Sequence, residues 1–441
     1  LQGMMGNHDE MVESFLDLLL VSPNYIQTIQ NSFNRNLNIT ENEDRANMLK
    51  GKLLKRVQRY PNEAIYNELL IWLFLQKKEF GAALVQAKAL DMRMSENGFR
   101  VMDIARLARG NEDFDTARQA YSYVISKGEF GEYYTTARME LLRVMLDETT
   151  SKPGAPTDDM IALESTYENT LDELGKTAGT AMMMKELAHI KGFYLGKTDE
   201  AIDLLYEGLE IPGLYEKVTA VIKLELGDVL LLEGDIWEAS LLYSQVELEF
   251  KEDVMGHEAK FRNAKISYYT GDFEWAQAQL DVLKASTSKL ISNDAIDLSL
   301  LITDNFNMDT TTVPMLMFAQ ADLLAYQNQV DQSVLKLDSI VDMWPGHTLT
   351  DDILMLKADI YASQGDYDQA VGYLEQVMEF HFFDILGDDA LFQLAEIHHF
   401  IYEDLETAQS MYERILLEYP GSLYVVEARK RFRELRGDEI N

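Results

Sequence analysis

Cysteine is absent from the 441-residue sequence, and its absence removes three kinds of chemistry at once. A chain without thiols forms no disulfide, holds no metal through thiolates and uses no cysteine nucleophile. Proline and glycine are also few, at 8 and 25 residues, while Leu, Ala, Met, Glu and Gln fill the long segments. Because these residue types favour helix, the composition predicts an all-α protein.

Basic residues are scarce as well. Lys and Arg total 39 against 75 Asp and Glu, which gives a formal net charge of −36. Binding to nucleic acid or to an anionic membrane surface depends on Lys and Arg, so the charge disfavours both. The acids are spread along the chain rather than gathered in one tail. We interpret them mainly as a solubilising surface, with a secondary preference for cationic partners.

Long apolar runs are missing too. The longest one near the start, 15–21, is interrupted by Asp17 and is far shorter than the roughly 20 residues that cross a bilayer. The sequence therefore predicts no transmembrane segment. It begins at Leu1 without a basic leader, from which we expect a processed or trimmed chain; a removed export signal is compatible with this expectation.

One pattern recurs along the chain: a helix, a short turn with Gly or Asp, an apolar residue, two variable positions, a small residue and a second helix. The small residue falls at Ala83, Ala117, Ala201, Ala239, Ala276, Ser333, Ala370 and Ala408. Successive spacings are 34, 84, 38, 37, 57, 37 and 38 residues. The two long intervals have room for a repeat plus additional residues. Such periods indicate stacked helix hairpins, each of which covers the apolar face of its neighbour.

The pattern resembles the tetratricopeptide repeat, and the likeness covers most of the chain from about residue 42 onward. In the repeat beginning near Val221, Gly227 and Ala239 stand where two helices approach closely, Gly234 ends the first helix, and Tyr243 fills the core. Closing prolines stand at Pro61, Pro345 and Pro420. The resemblance implies a right-handed superhelical solenoid of antiparallel helix hairpins with a concave binding surface.

We divide the predicted array into segments. They are an irregular helical cap at 1–48, repeats at 49–284 with an insertion near 149–180, an inter-repeat insertion at 285–312, and C-terminal repeats with a capping helix at 313–441. Pairs of aspartates at 158–159, 351–352 and 388–389 precede apolar runs. We interpret these pairs as helix caps rather than as acid–base pairs.

The sequence does not match the common motifs of catalytic sites or of metal sites. The sequence has no nucleotide-binding glycine loop, no HExxH and no GxSxG in a strand-turn-helix setting. His398 and His399, with His381 upstream, do not suit a shared metal because neighbouring side chains on a helix point about 100° apart. We therefore predict no enzyme activity, no cofactor and no metal.

An enzyme or enzyme subunit with its site in the 285–312 insertion is the alternative. That insertion carries the richest polar cluster outside a repeat, formed by Ser286, Thr287, Ser288, Lys289, Asn293 and Asp294. A helix start with an interhelical turn explains the same residues.

The family resemblance also implies where partners bind, because tetratricopeptide proteins contact ligands with the inner face of each first helix. Counted from the small residue of each repeat, the central inward positions are Trp72, Arg106, Asp228, Lys265, Asp322, Asp359 and Glu396. Aromatic residues on or beside this face are Phe261, Tyr268, Phe318, Tyr361 and Phe392. Family members that hold a C-terminal carboxylate use Lys and Asn here, whereas four of the five later positions are acidic.

We predict that this face binds other proteins or peptides, with a preference for basic or mixed segments. The alternative is that these acids pair with Lys and Arg of neighbouring hairpins, for example Lys265 or Lys357.

Two stretches, 268–295 and 419–438, look like tetratricopeptide proteins of Bacteroidota-type bacteria. The second is also similar to repeats of outer-membrane assembly lipoproteins and of periplasmic cell-division coordinators. This resemblance implies a periplasmic or outer-membrane-associated scaffold in an envelope assembly or secretion machine, held there through a partner or an upstream anchor. A cytoplasmic adaptor is the alternative.

Overall fold

A computed structural model describes residues 7–151, 156–285, 288–306 and 311–438, with Lys289 represented by its backbone alone. Within these ranges all regular structure is helical, which confirms the predicted all-α fold. The chain forms two compact units, one ending at Glu148 and one beginning at Thr149. Of the described helices, none combines the length and the apolarity that crossing a membrane requires.

The first unit is a series of helices joined by short turns. They are α1 His8–Val21, α2 Ile26–Leu37, α3 Glu43–Arg59, α4 Ala64–Gln76, α5 Phe80–Met94, α6 Phe99–Arg109, α7 Phe114–Ile125 and α8 Tyr134–Thr150, with a 3-10 turn at Pro23–Tyr25. Its core is continuous along the series. The hydroxyl of Tyr66 crosses that core and donates to the carbonyl of Leu16 at 2.9 Å.

The second unit carries the longer series. It contains α9 Thr157–Leu174, α10 Ala181–His189, α11 Thr198–Leu209, α12 Glu216–Glu233, α13 Ile236–Glu249, α14 Val254–Tyr269, α15 Phe273–Leu283, α16 Lys289–Phe306, α17 Val313–Tyr326, α18 Val330–Met343, α19 Thr350–Ser363, α20 Tyr367–Phe380, α21 Gly387–Phe400, α22 Leu405–Glu418 and α23 Val425–Arg436. A π-helical turn, Ile190–Tyr194, separates α10 from α11. Within each unit, most consecutive helices pack side by side, as in an α-solenoid.

Aspartates start the second helix of several hairpins. In α13, α15, α20 and α22 the N-cap is an Asp whose carboxylate accepts the backbone N–H three residues later. This bond satisfies one of the N–H groups that a helix start leaves without a partner. The recurrent Gly-Asp turn of the sequence is thus the local signal that ends one helix and begins the next.

The small residue of each repeat permits close helix packing. Ala239, Ala276 and Ala370 are completely buried. Ser333 replaces alanine in its repeat and is equally buried, and its hydroxyl donates to the carbonyl of Ala321 at 2.7 Å. The substitution therefore keeps the size small and leaves no polar group without a partner.

The predicted insertion at 285–312 contains a full helix, α16. It packs mainly on α15 and also contacts α14 and α17. The following helix, α17, reaches back to α12, where the Tyr326 hydroxyl donates to the carbonyl of Asp228 at 3.1 Å and the Gln327 amide to that of Leu231 at 3.0 Å. α16 is therefore a single helix between two hairpins. Of its predicted polar cluster, Ser286, Thr287 and the Lys289 side chain lie outside the described residues.

Candidate functional site

A cavity of about 1150 Å³ opens within the second unit, among α14, α16, α17 and the starts of α19 and α21. Apolar side chains form part of its wall, including Phe261, Leu298, Leu301, Phe383 and Ile385. Nine aspartates also line it: Asp294, Asp297, Asp304, Asp322, Asp351, Asp352, Asp384, Asp388 and Asp389. We call this site the acidic cavity.

Helix α16 contributes one continuous stripe to the acidic cavity. Asp294, Asp297, Leu301 and Asp304 line the wall at spacings of three or four residues, and Asn305 lies four residues after Leu301. Residues three and four apart share one face of a helix, so a single helix face supplies this whole side of the cavity.

The first turns of α19 and α21 supply a second wall, with Asp351–Asp352 and Asp388–Asp389. The pairs lie at helix starts, as predicted, but they do not occupy the N-cap positions, which are Leu349 and Leu386 and form no side-chain cap bond. The pair at 158–159 likewise lies within the first turn of α9, after Pro156. Carboxylates in a first turn are favoured by the helix dipole, and here two such turns face the same cavity.

Six of the nine aspartates that line the acidic cavity have raised pKa values. Burial, aided by the charge of Asp351, raises the pKa of Asp352 to about 7. Burial also raises the pKa of Asp389 to about 6, although the Tyr424 hydroxyl donates to its carboxylate at 2.7 Å. The pKa values of Asp294, Asp297, Asp322 and Asp351 are raised by burial as well. Clustered carboxylates behave in this way where counter-charge is insufficient.

Lys265 is the single Lys or Arg among the described residues that line the cavity. Its ammonium lies 5.6 Å from the ring centroid of Tyr269 and 6.0 Å from that of Tyr326. No ion pair joins it to a described acid, although its charge opposes the rise in the pKa values of Asp294 and Asp322. Nine carboxylates therefore share one cation that faces aromatic rings.

Other buried acids of the second unit are neutralised by the chain itself. Glu164 accepts from Lys191 at 2.8 Å and from Lys197 at 2.7 Å. Glu225 has Lys185 at 2.6 Å. The acidic cavity differs from these clusters because no described Lys or Arg forms an ion pair with its aspartates.

Three of the sequence-predicted binding residues meet in the acidic cavity: Phe261, Lys265 and Asp322. Asp228 does not join them, because Arg262 of the next hairpin holds it through two bonds, Nε at 2.8 Å and Nη2 at 3.1 Å, and Tyr243 donates to it at 2.7 Å. Asp228 therefore pairs with a basic residue of a neighbouring hairpin, as the alternative interpretation of the inner-face acids expects. Lys357, offered as an internal partner for the inner-face acids, instead pairs with Asp338 at 2.5 Å.

The other predicted residues of the second unit lie outside the cavity wall. Tyr268 and Phe318 are core residues, at 0% and 4% exposure. The remaining four have intramolecular contacts: Asp359 accepts from Gln393 at 3.1 Å, Glu396 accepts from Tyr412, Tyr361 stacks on Tyr373 at 5.6 Å, and Phe392 stacks on Tyr424 at 4.3 Å.

Two predicted residues belong to the first unit. Trp72 packs near Phe33, with ring centroids 6.5 Å apart. Arg106 pairs with Asp103 of its own helix at 2.8 Å. Their role in binding stays a prediction.

Among the described residues, two groups of three acidic or imidazole side chains have the spacing of a metal site. In the group of Glu164, Glu168 and Glu200, the ammonium of Lys191 lies 2.8, 2.8 and 2.6 Å from the three carboxylates, so the position of a cation is already taken. The other group is Asp351, His381 and Asp384, with the His381 imidazole 3.2 Å from Asp384.

The histidine pair of the sequence analysis is separated from that group. His398 is 3.7 Å from Asp404, and His399 is 3.3 Å from the Tyr412 hydroxyl. Neither is among the residues that line the acidic cavity. That the chain binds no metal remains a prediction.

Comparison with known proteins found family models that match two segments in the C-terminal part of the chain. Residues 353–379 and 389–422 each match a tetratricopeptide repeat model. These segments cover most of α19–α20 and α21–α22, and Asp351, Asp352 and Asp388 of the acidic cavity lie directly before them. The chain thus contains tetratricopeptide repeats, a helical-hairpin module that serves protein–protein interaction. No curated protein matches the chain.

Solved structures of tetratricopeptide proteins are among its structural relatives. One is a tetratricopeptide repeat protein from Parabacteroides merdae, with 10% identity, a TM-score of 0.34, and coverage of 68% of this chain and 98% of that one. Another is the P58(IPK) TPR domain, with 14% identity, a TM-score of 0.24, and coverage of 94% and 98%. TM-scores this low do not establish a shared global arrangement.

Proposed function

We propose that this protein is a non-catalytic scaffold whose acidic cavity holds a basic segment of a partner protein. The observation that carries the proposal is the imbalance inside the cavity, where nine aspartates face one lysine. Bringing a cationic segment into this site would supply the missing counter-charge. The neighbouring tetratricopeptide repeats support a role in binding proteins.

The size and the wall of the cavity favour a peptide over a small ion. At about 1150 Å³ it exceeds the usual range of small-molecule pockets, about 300–1,000 Å³. Phe261, Leu298, Phe383 and Ile385 offer apolar surface between the carboxylates. Lys and Arg have aliphatic stems that pack on such surface while the charged ends reach acids. A segment that alternates basic and apolar side chains fits this wall.

A capture experiment tests the proposal. The full chain, a cavity variant carrying Asp297→Lys and Asp388→Lys, and a control carrying Asp331→Lys and Asp342→Lys are crosslinked to extracts of the native organism. Asp331 and Asp342 are exposed on α18 and do not line the cavity, so the control has the same change of net charge. Loss of partners by the cavity variant alone, at unchanged melting temperature, is the expected result. Capture of the same partners by all three chains would contradict the proposal.

We also propose that the scaffold works in a bacterial envelope, periplasmic or associated with the outer membrane, as part of an assembly or secretion machine. Support comes from the likeness of 268–295 and 419–438 to tetratricopeptide proteins of Bacteroidota-type bacteria and to envelope proteins. Immunoblots of periplasmic, membrane and cytoplasmic fractions test this location. Recovery from the cytoplasm alone would favour the adaptor alternative.

One observation favours the enzyme alternative. Carboxyl groups with raised pKa values, gathered in one cavity, also occur at catalytic sites, and Asp352 beside Asp351 is such a pair. Turnover of any substrate that is abolished by Asp352→Asn, while partner capture is retained, would support catalysis over scaffolding.

A further inference from the structure

Asn305 presents a buried polar atom without a partner at the wall of the acidic cavity. Its side chain is 3% exposed. The amide nitrogen donates to the carbonyl of Leu301 at 3.0 Å and to Oδ2 of Asp352 at 3.0 Å. The amide oxygen, Oδ1, has no hydrogen-bond donor among the described residues.

The orientation of this amide follows from its neighbours. The carbonyl of Leu301 can only accept, so exchanging the nitrogen and the oxygen would place two acceptors against each other. The unpartnered atom is therefore the oxygen. Buried acceptors are rarely left without a donor in folded proteins. This atom points to a donor that the described part of the chain does not supply.

The surroundings of Asn305 are negatively charged. Asp352 is its direct neighbour, and Asp304 and Asp351 line the same cavity. Elsewhere in this unit, a comparable group of carboxylates closes around Lys191, which contacts Glu164, Glu168 and Glu200. At Asn305 no described Lys or Arg occupies the equivalent position among the carboxylates, because the ammonium of Lys265 lies against aromatic rings instead.

We propose that Asn305 and Asp352 form a subsite for the guanidinium group of an arginine side chain on the bound segment. A guanidinium carries five N–H donors in a planar fork, so it can donate both to an amide oxygen and to an adjacent carboxylate. Leu298 and Leu301 of α16 line the same cavity and offer apolar surface to the methylene stem. This subsite rests on the proposed function, because it assigns the residue type that the acidic cavity selects.

Saturation-transfer difference NMR with small probes on the full chain tests the subsite. The probes are N-acetyl-arginine amide and its uncharged isostere, N-acetyl-citrulline amide. The variants are Asp352→Asn and Asn305→Leu, with Asp331→Asn as the matched control on an exposed helix start. We expect the arginine probe to bind the parent chain and the control equally. We expect at least about tenfold weaker binding to either cavity variant, by analogy with the loss of one charged hydrogen-bond partner, and no binding of the citrulline probe.

Several outcomes would overturn the subsite. Equal binding of arginine and citrulline probes, or unchanged binding to both folded variants, places the guanidinium elsewhere. Equal or tighter binding of N-acetyl-lysine amide removes the assignment to arginine. Displacement of the arginine probe by micromolar Ca²⁺ or Mg²⁺, lost in Asp352→Asn, makes the site a metal site.

A parallel titration keeps the two proposals separate. A peptide of alternating Arg and Leu is compared with one of alternating Glu and Leu by fluorescence anisotropy. Binding of the basic peptide that is lost in the Asp297→Lys, Asp388→Lys variant but retained in Asp352→Asn and Asn305→Leu overturns the subsite and leaves the scaffold proposal standing. Absence of binding by the basic peptide to the parent chain overturns both.

Discussion

Replacing Asp352 by Asn removes a carboxyl group that the folded chain ionises with difficulty. Burial and the neighbouring charge of Asp351 raise its pKa from 3.8 to about 7. The folded state therefore binds this proton more tightly than the unfolded chain does, and stability is lost as the pH rises from 4 to 7. At about 1.4 kcal/mol per pKa unit the cost is roughly 4 kcal/mol, and partial solvent contact of the side chain reduces it to about 2 kcal/mol.

The full loss of folding free energy caused by ionised Asp352 applies above pH 7. Less than half of this loss remains at pH 5, and none remains below pH 4. We expect Asp352→Asn to raise the melting temperature at pH 8 by about 3–6 °C, since about 1 kcal/mol corresponds to about 2–4 °C in domains of 150–250 residues and to less in larger ones. The gain should shrink at pH 5. Thermal melts followed by circular dichroism, with Asp331→Asn as control, measure both values.

The measurement also separates a pH-dependent effect from a packing effect. The new amide keeps an acceptor for the Asn305 N–H group, so the bond at 3.0 Å can be retained. A lower melting temperature at pH 8, or a gain that is equal at pH 5 and pH 8, would refute the interpretation of Asp352 as a poorly compensated charge.

Three further predictions concern other parts of the second unit. Affinity for the arginine probe should increase about tenfold between pH 6 and pH 8, because Asp352 is protonated below about pH 7 and an uncharged carboxyl attracts a cation less. Equal affinities in NMR titrations at the two pH values would contradict this prediction. Gly227→Ala should destabilise the folded chain by about 2–4 kcal/mol, because the new Cβ would lie 2.4 Å from the ring of Tyr243. Gly372→Ala, whose Cβ would have nothing within 4 Å, should instead stabilise it by about 0.5–1 kcal/mol. Urea unfolding compares the two variants, and equal effects would argue against the packing explanation. Lys191→Met should destabilise by about 1–3 kcal/mol, because buried Glu164 keeps only Lys197 while Glu168 and Glu200, which are largely exposed, lose a cation that water can partly replace. A neutral result in the same assay would contradict the assigned role.

The repeat pattern made much of the fold predictable. The Gly-Asp turn is a local signal, because the aspartate caps the helix that it precedes, as at Asp235 and Asp272. The small residue four positions later is also local, since only a small side chain fits the crossing. Counting from that residue gave an inner face on which Phe261, Lys265 and Asp322 do line a cavity.

Of the α16 aspartates in the acidic cavity, only Asp294 was named from the sequence, although the helical period also indicates Asp297 and Asp304. Treating 285–312 as an insertion left its helical period unused, although Asp294, Asp297, Leu301 and Asp304 recur at three and four residues. The first-turn pairs were less accessible. That the starts of α19 and α21 face α16 depends on packing between distant segments, which a local pattern does not contain.

Asp228 is a residue that the sequence placed on the binding face but that the folded chain neutralises. Repeat phase placed it on the inner face, yet Arg262, 34 residues away, holds its carboxylate. Sequence position alone did not identify which of several basic residues would reach it. Internal pairing and partner binding use the same residue types, so only the three-dimensional neighbourhood separates them.

The raised pKa values in the acidic cavity have a calorimetric consequence. At neutral pH, protons occupy part of the carboxyl groups of Asp352 and its neighbours in the free chain. A cationic partner would displace those protons into solution. Binding would then exchange protons on the carboxyl groups for the positive charges of the partner. The heat of binding would then vary with the ionisation enthalpy of the buffer, and the slope would count the protons released.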